Sequence, residues 1–125
     1  MKKRGGFKFY WERFFQILPV ILGIVLVFTF FDFFFHHLSK EYFVPGGYYR
    51  NKIIFGTLIG FASYYFIKKL KPFNRALAFS AIISVLLQAK YYLEGYPKDF
   101  VFIFLGIHFA ILVPVSWIAF KSILK

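Results

Sequence analysis

Four long apolar segments alternate with short polar connections along the chain. They cover roughly residues 14–38, 52–67, 76–93 and 100–120, and none alternates polar and apolar residues as the strands of a membrane barrel do. The first segment is about long enough to cross a bilayer once, at about 1.5 Å per residue and about 30 Å of hydrocarbon. Because lipid offers the backbone no hydrogen-bond partners, the pattern predicts a helix for each segment.

The three connections between these segments are short and contain residues that begin or end helices. A Pro-Gly-Gly turn starts at Pro45 in the first connection, and Pro72 lies in the second. In the third, Gly95 is placed to cap a helix at its C-terminus, with Pro97 directly beyond. Short connections make successive helices antiparallel neighbours. The sequence therefore predicts one all-α domain over residues 1–125, a polytopic four-helix transmembrane bundle in up-down-up-down order.

Composition and charge place this bundle in a membrane and predict its orientation. Hydrophobic residues make up 60% of the chain, which includes 21 Phe. The formal net charge is +11, but the basic residues lie in short clusters between apolar segments, so we predict membrane lipids and no nucleic acid as partners. One side of the bundle receives eleven Lys and Arg residues and the other five. This excess predicts a multi-pass protein of the cell membrane with both termini cytoplasmic.

Signals for catalysis and for cofactors are missing from the sequence. The chain has no Cys, which excludes disulfides, thiolate metal ligands and a Cys nucleophile. No Gly-x-Ser-x-Gly motif surrounds Ser80 or Ser84, and no phosphate-binding glycine loop occurs. The sequence therefore favours a role without catalysis, and we predict no cofactor.

Small residues repeat every four positions in three of the four segments. Such stripes let helices approach closely in lipid. The candidate helix-packing residues are Gly56, Gly60, Ser80, Ser84, Gly106 and Ala110. We expect these stripes to face the inside of the bundle, with an interface between two copies of the chain as the alternative.

Polar residues inside the predicted helices gather in the outer half of the bundle. The candidate polar cluster comprises Asp32, His36, Gln88, Lys90 and His108. An ionisable group in a membrane helix costs at least about 2.5–3.5 kcal/mol on insertion scales, so it usually has a partner or a function. Asp32 and His36 are four residues apart and share one face of the first helix.

Three interpretations of this polar cluster stay open. The favoured one is structural, with Asp32 paired to Lys90 or each reaching the outer interface; Glu94 is an alternative partner for Lys90. The second is a proton- or cation-coupled site, because a His beside a carboxylate can relay a proton. The third is a metal site of Asp32 and His36 with His108 as an additional ligand. We predict no metal, because the two adjacent histidines of the first helix point about 100° apart.

These features predict a small integral membrane protein that assembles with itself or serves as an accessory membrane subunit. The alternative is a small homodimeric transporter or channel built around the polar cluster. The size and four-helix plan are similar to those of small multidrug-resistance transporters. These homodimers use one acidic residue of the first helix for transport, and Asp32 would correspond to it. The residues around Asp32 do not match those transporters, so no family is recognised.

Overall fold

A computed structural model of the chain describes the backbone of residues 2–124 and the side chains of residues 14–124. Within this part there are four α-helices and one short 3-10 helix. They are α1 (Lys2–His36), the 3-10 helix (Lys40–Tyr42), α2 (Gly46–Ile67), α3 (Pro72–Leu93) and α4 (Lys98–Ser122). The basic N-terminal residues used in the orientation argument lie outside the described side chains.

Three stretches of these helices are long and apolar enough to cross a membrane. They are Phe14–His36 in α1, Pro72–Leu93 in α3 and Lys98–Ser122 in α4. The fold is therefore an all-helical bundle of a small membrane-associated protein.

The starts of α2, α3 and α4 lie earlier than the apolar segments predict, and each lies at a proline. Pro45 and Pro97 precede α2 and α4 at the N-cap positions, and Pro72 is the first residue of α3. The fixed φ of proline suits the first turn of a helix, where its missing N–H is not needed. Gly95 caps α3 as predicted, because its φ of 99° lies in the left-handed region that favours glycine.

Neighbouring helices of the bundle run antiparallel around one core. Helix α1 contacts α2 and α4, and α3 contacts the same two helices. At one end, the Tyr48 ring at the start of α2 stacks on Tyr91 at the end of α3, with centroids 4.5 Å apart. At the other end, the Arg75 guanidinium donates to the carbonyls of Leu124 (2.6 Å) and Lys68 (2.8 Å). We call these the Asp32 end and the Arg75 end, respectively.

The small-residue stripe of α2 lies inside the bundle, where α1 and α3 approach it. A Cβ added at Gly60 would lie 3.0 Å from both Ile21 Cγ2 and Phe79 Cζ. A Cβ at Gly56 would lie 3.2 Å from Val25 Cγ1. The close approach of α1 and α3 to α2 therefore depends on glycine, which has no side chain, at positions 56 and 60. On α3, the Ser80 and Ser84 side chains are also buried.

The expected inward stripe of α4 is corrected by the structure, because Gly106 and Ala110 lie on the outer face. The buried face of this helix carries Phe104, His108 and Leu112. Both faces repeat every four residues, and they differ by two positions, or about 200° around the helix. Spacing alone could not choose between them. The interface between two copies remains a prediction for Gly106 and Ala110.

Candidate functional site

Asp32 lies among three nitrogen atoms from three side chains. Its Oδ2 atom pairs with the Lys52 ammonium and lies 2.9 Å from His36 Nε2. Its Oδ1 atom lies 3.1 Å from His108 Nε2, and that nitrogen is also 3.0 Å from Lys52 Nζ. We call these four residues the Asp32 cluster. All four are fully buried, at 0% exposure, so the cluster links α1, α2 and α4 in a dry environment.

Local structure at the Asp32 end orients His36. The His36 Nδ1–H donates to the backbone carbonyl of Tyr42, at 2.8 Å. Tyr42 ends the 3-10 helix, whose N-cap is Ser39, with the Ser39 hydroxyl accepting from the Glu41 N–H at 3.3 Å. The connection between α1 and α2 therefore fixes the imidazole with Nε2 directed at Asp32, because the accepting carbonyl lies only six residues further along the chain.

Aromatic rings enclose two partners of Asp32, His36 and Lys52. The His36 ring stacks on Phe104 with a centroid distance of 4.0 Å and an interplanar angle of 3°. Lys52 Nζ lies 4.3 Å from the centroid of the Tyr48 ring and 5.3 Å from that of Phe28. Aromatic faces attract cations, more strongly when water is excluded. The rings therefore stabilise positive charge while keeping the site dry.

Two members of the predicted polar cluster lie elsewhere. The Gln88 amide donates to the Val101 carbonyl at 2.6 Å, which ties α3 to the first turn of α4. Lys90 pairs with Glu94 one turn along α3, and their side chains are 26% and 42% exposed. An exposed pair of this kind contributes little to stability, about 0–1 kcal/mol.

The expected pairing of Asp32 with Lys90 is therefore corrected: the partner of Asp32 is Lys52, and Lys90 takes the alternative partner. The error follows from the predicted start of α2 at residue 52, which put Lys52 at the membrane interface. Because α2 begins at Gly46, Lys52 lies in the second turn and reaches the depth of Asp32.

A signal for Lys52 exists in the sequence. The residues Tyr48, Lys52, Gly56 and Gly60 are four apart, and all four are buried. Continuing the glycine stripe backwards by two steps therefore places Lys52 on the inward face of α2. For His108, the corresponding information was missing, because the stripe of small residues on α4 pointed to the wrong face.

Tyr96 lies beside the site in the connection between α3 and α4. Its ring stacks on Phe100, with centroids 5.2 Å apart. Burial raises the pKa of the Tyr96 hydroxyl, and the nearby Glu94 carboxylate adds to the increase. The hydroxyl therefore stays protonated well above neutral pH and adds no charge at the Asp32 end.

The side chains of the Asp32 cluster can form a network of ion pairs, or they can bind a cation. Asp32, His36 and His108 each offer a ligand atom, and these atoms lie within 4.8 Å of one another. The buried serines of the core do not form such a group: Ser116 donates to the Leu112 carbonyl at 2.6 Å and lies 3.3 Å from the Ser80 hydroxyl. That arrangement joins α3 to α4.

Comparisons with protein-family models, curated proteins and solved structures found no match for this chain. The class of protein therefore rests on the fold, a small helical bundle with three helices suited to a membrane. The geometry of the Asp32 cluster is the feature of this fold that bears on function.

Proposed function

We propose that the chain is a small multi-pass membrane protein that acts as a structural subunit, assembling with itself or with other membrane proteins. The observation that carries this proposal is the state of the Asp32 cluster, which pairs its charges within one chain and is fully buried. A coupled transporter needs its ionisable groups to reach water, whereas a structural subunit needs them paired and dry. The geometry supports the structural role.

The length of α2 supports a fourth spanning helix beside the three apolar ones. Its 22 residues extend over about 33 Å at about 1.5 Å per residue, which matches the hydrocarbon of a bilayer. The charge of Lys52 opposes insertion of α2 into the membrane most strongly, but Lys52 pairs with Asp32. The partner removes much of the cost of placing this lysine in lipid.

The distribution of basic residues supports cytoplasmic termini. Among the described residues, the basic ones at the Arg75 end are Lys68, Lys69, Lys71, Arg75 and Lys121. The Asp32 end carries the same number, Lys40, Arg50, Lys52, Lys90 and Lys98, of which Lys52 and Lys90 pair with carboxylates. The excess comes from the basic residues before residue 14 and from Lys125, which by sequence join the Arg75 side and bring its total to eleven against five. We therefore assign the Arg75 end and both termini to the cytoplasm.

Single cysteines test the four-span arrangement, because the natural chain contains none. Lys40, Lys69 and Lys98 are exposed and lie in or beside the three connections. We expect a membrane-impermeant maleimide to label Lys40→Cys and Lys98→Cys in intact cells, and Lys69→Cys only after permeabilisation. Labelling of Lys40→Cys and Lys69→Cys from the same side would contradict the proposal that α2 spans the membrane.

Native mass measurement tests the role as a subunit. The full-length protein, purified in detergent and in native lipid particles, should run as a homo-oligomer or with companion chains in fixed ratio. A monomer without companions in both media would contradict the structural-subunit proposal. A homo-oligomer is then examined with Gly106→Leu, because Gly106 lies on the outer face of α4.

A further inference from the structure

His36 faces Asp32 with the nitrogen that cannot donate in a neutral ring. Its Nδ1 atom must carry the proton, because the Tyr42 carbonyl at 2.8 Å can only accept. In neutral imidazole, Nε2 then has a lone pair, and it lies 2.9 Å from Asp32 Oδ2. Nε2 is buried and has no hydrogen-bond partner. The Nε2 lone pair and the carboxylate oxygen are both acceptors, so at 2.9 Å they repel each other unless a cation or a proton lies between or beside them.

His108 directs a second nitrogen at the same carboxylate. Its Nε2 atom lies 3.1 Å from Asp32 Oδ1 and 3.0 Å from Lys52 Nζ. When Lys52 is an ammonium, the one lone pair of His108 Nε2 accepts from it, and this lone pair becomes free to bind another cation only when the ammonium moves away. Two imidazole nitrogens and a carboxylate therefore converge from two helices, with a cationic group among them.

We propose that Asp32, His36 and His108 form a binding site for a divalent transition-metal ion, and that the Lys52 ammonium neutralises Asp32 when no metal is bound. This inference goes beyond the proposed structural role and does not depend on the number of spanning helices. It rests on the lone pair of His36, which Lys52 does not satisfy.

The ligand set defines the class of metal. Two imidazoles and one carboxylate suit Zn²⁺, Fe²⁺ or Co²⁺, whereas Ca²⁺ and Mg²⁺ prefer oxygen ligands throughout. Metal-binding histidines usually donate their other N–H to a carbonyl or carboxylate, which fixes the ring. The contact of His36 with the Tyr42 carbonyl is of this kind.

Lys52 can move away from Asp32 and His108 without unfolding α2. Side chains on a helix lean toward its N-terminus, and for α2 this direction leads to the Asp32 end, where its first residue is Gly46. A lysine can extend its aliphatic stem along apolar surface and place the ammonium at the interface. Metal binding therefore exchanges one cation for another beside Asp32 and keeps the carboxylate paired.

The test uses the purified full-length protein in detergent after treatment with a chelator. Co²⁺ binding is followed by visible absorption, and the Zn²⁺-loaded protein is examined by X-ray absorption. We expect one metal per chain and two imidazoles in its coordination. His36→Gln should weaken Co²⁺ binding more than about 100-fold, since loss of an outer-shell partner alone costs about 10- to 100-fold. Lys52→Met should strengthen it about 10-fold or more, because the competing ammonium is gone.

His37→Gln is the matched control, because His37 is adjacent but exposed, with its Nδ1 bonded to the Phe33 carbonyl. It should bind Co²⁺ as the natural protein does. The X-ray absorption result needs no variant, so it decides the proposal even where Lys52→Met or His36→Gln does not fold. Absence of metal binding by the natural protein at millimolar Co²⁺ and Zn²⁺ would overturn the proposal. In that case a proton fills the position, and ¹⁵N NMR should show His36 protonated on both nitrogens.

Discussion

Replacing Lys52 with Met lowers the free energy of unfolding by about 3–5 kcal/mol in metal-free detergent solution. Removing one partner of a buried ion pair leaves the other charge uncompensated, and costs of this size follow. Asp32 and Lys52 are both fully buried, so water cannot replace the missing ammonium. The change is measured by equilibrium unfolding with SDS, followed by circular dichroism.

Lys90→Met is the matched control for this loss. It removes the same charge, also from a pair with a carboxylate, but the Lys90 and Glu94 side chains remain partly exposed. Its expected cost is about 0–1 kcal/mol. Equal destabilisation by the two lysine variants would contradict the difference in burial on which the account of the Asp32 cluster depends.

Gly60→Leu destabilises the bundle by about 3 kcal/mol, the upper end of the usual range for overpacking. The Cβ atom alone would lie 3.0 Å from side chains of both Ile21 and Phe79, which belong to α1 and α3. A leucine adds three further carbon atoms, so the helices must separate. The same SDS unfolding experiment measures the loss.

Gly106→Leu makes the same chemical change on the outer face of α4. A Cβ at Gly106 meets no atom within 4 Å, so its expected effect on the unfolding of a single chain is within about 0.5 kcal/mol. If Gly60→Leu proves as mild as Gly106→Leu, the close approach of α1 and α3 at Gly60 is wrong.

Much of the fold could be predicted from local pattern. Apolar segments gave the four helices, and Gly95 gave the end of α3. The first residues of the helices were harder to predict, because a helix can continue through polar residues at the end of the bundle. Helix α2 begins at Gly46, although its apolar pattern begins at residue 52. Proline positions carry that information, since each of the three later helices starts at or after one.

The site was predictable only as far as one helix could define it. Asp32 and His36 share a face because they are four residues apart, and no knowledge of packing is needed. The partners from α2 and α4 depend on how those helices are rotated about their axes. On α4, small residues and bulky residues both repeat every four positions, so the face that contains His108 could not be chosen from spacing.

The coupling energy between Asp32 and Lys52 shows whether this pair joins α1 to α2. It requires the unfolding free energies of the natural protein, Asp32→Asn, Lys52→Met and the double variant, all in the same detergent. If the two side chains form a buried ion pair, the double variant should be at least about 2 kcal/mol more stable than the sum of the single losses implies. Additive losses, with a coupling energy below about 0.5 kcal/mol, would contradict the claim that this pair holds α1 and α2 together.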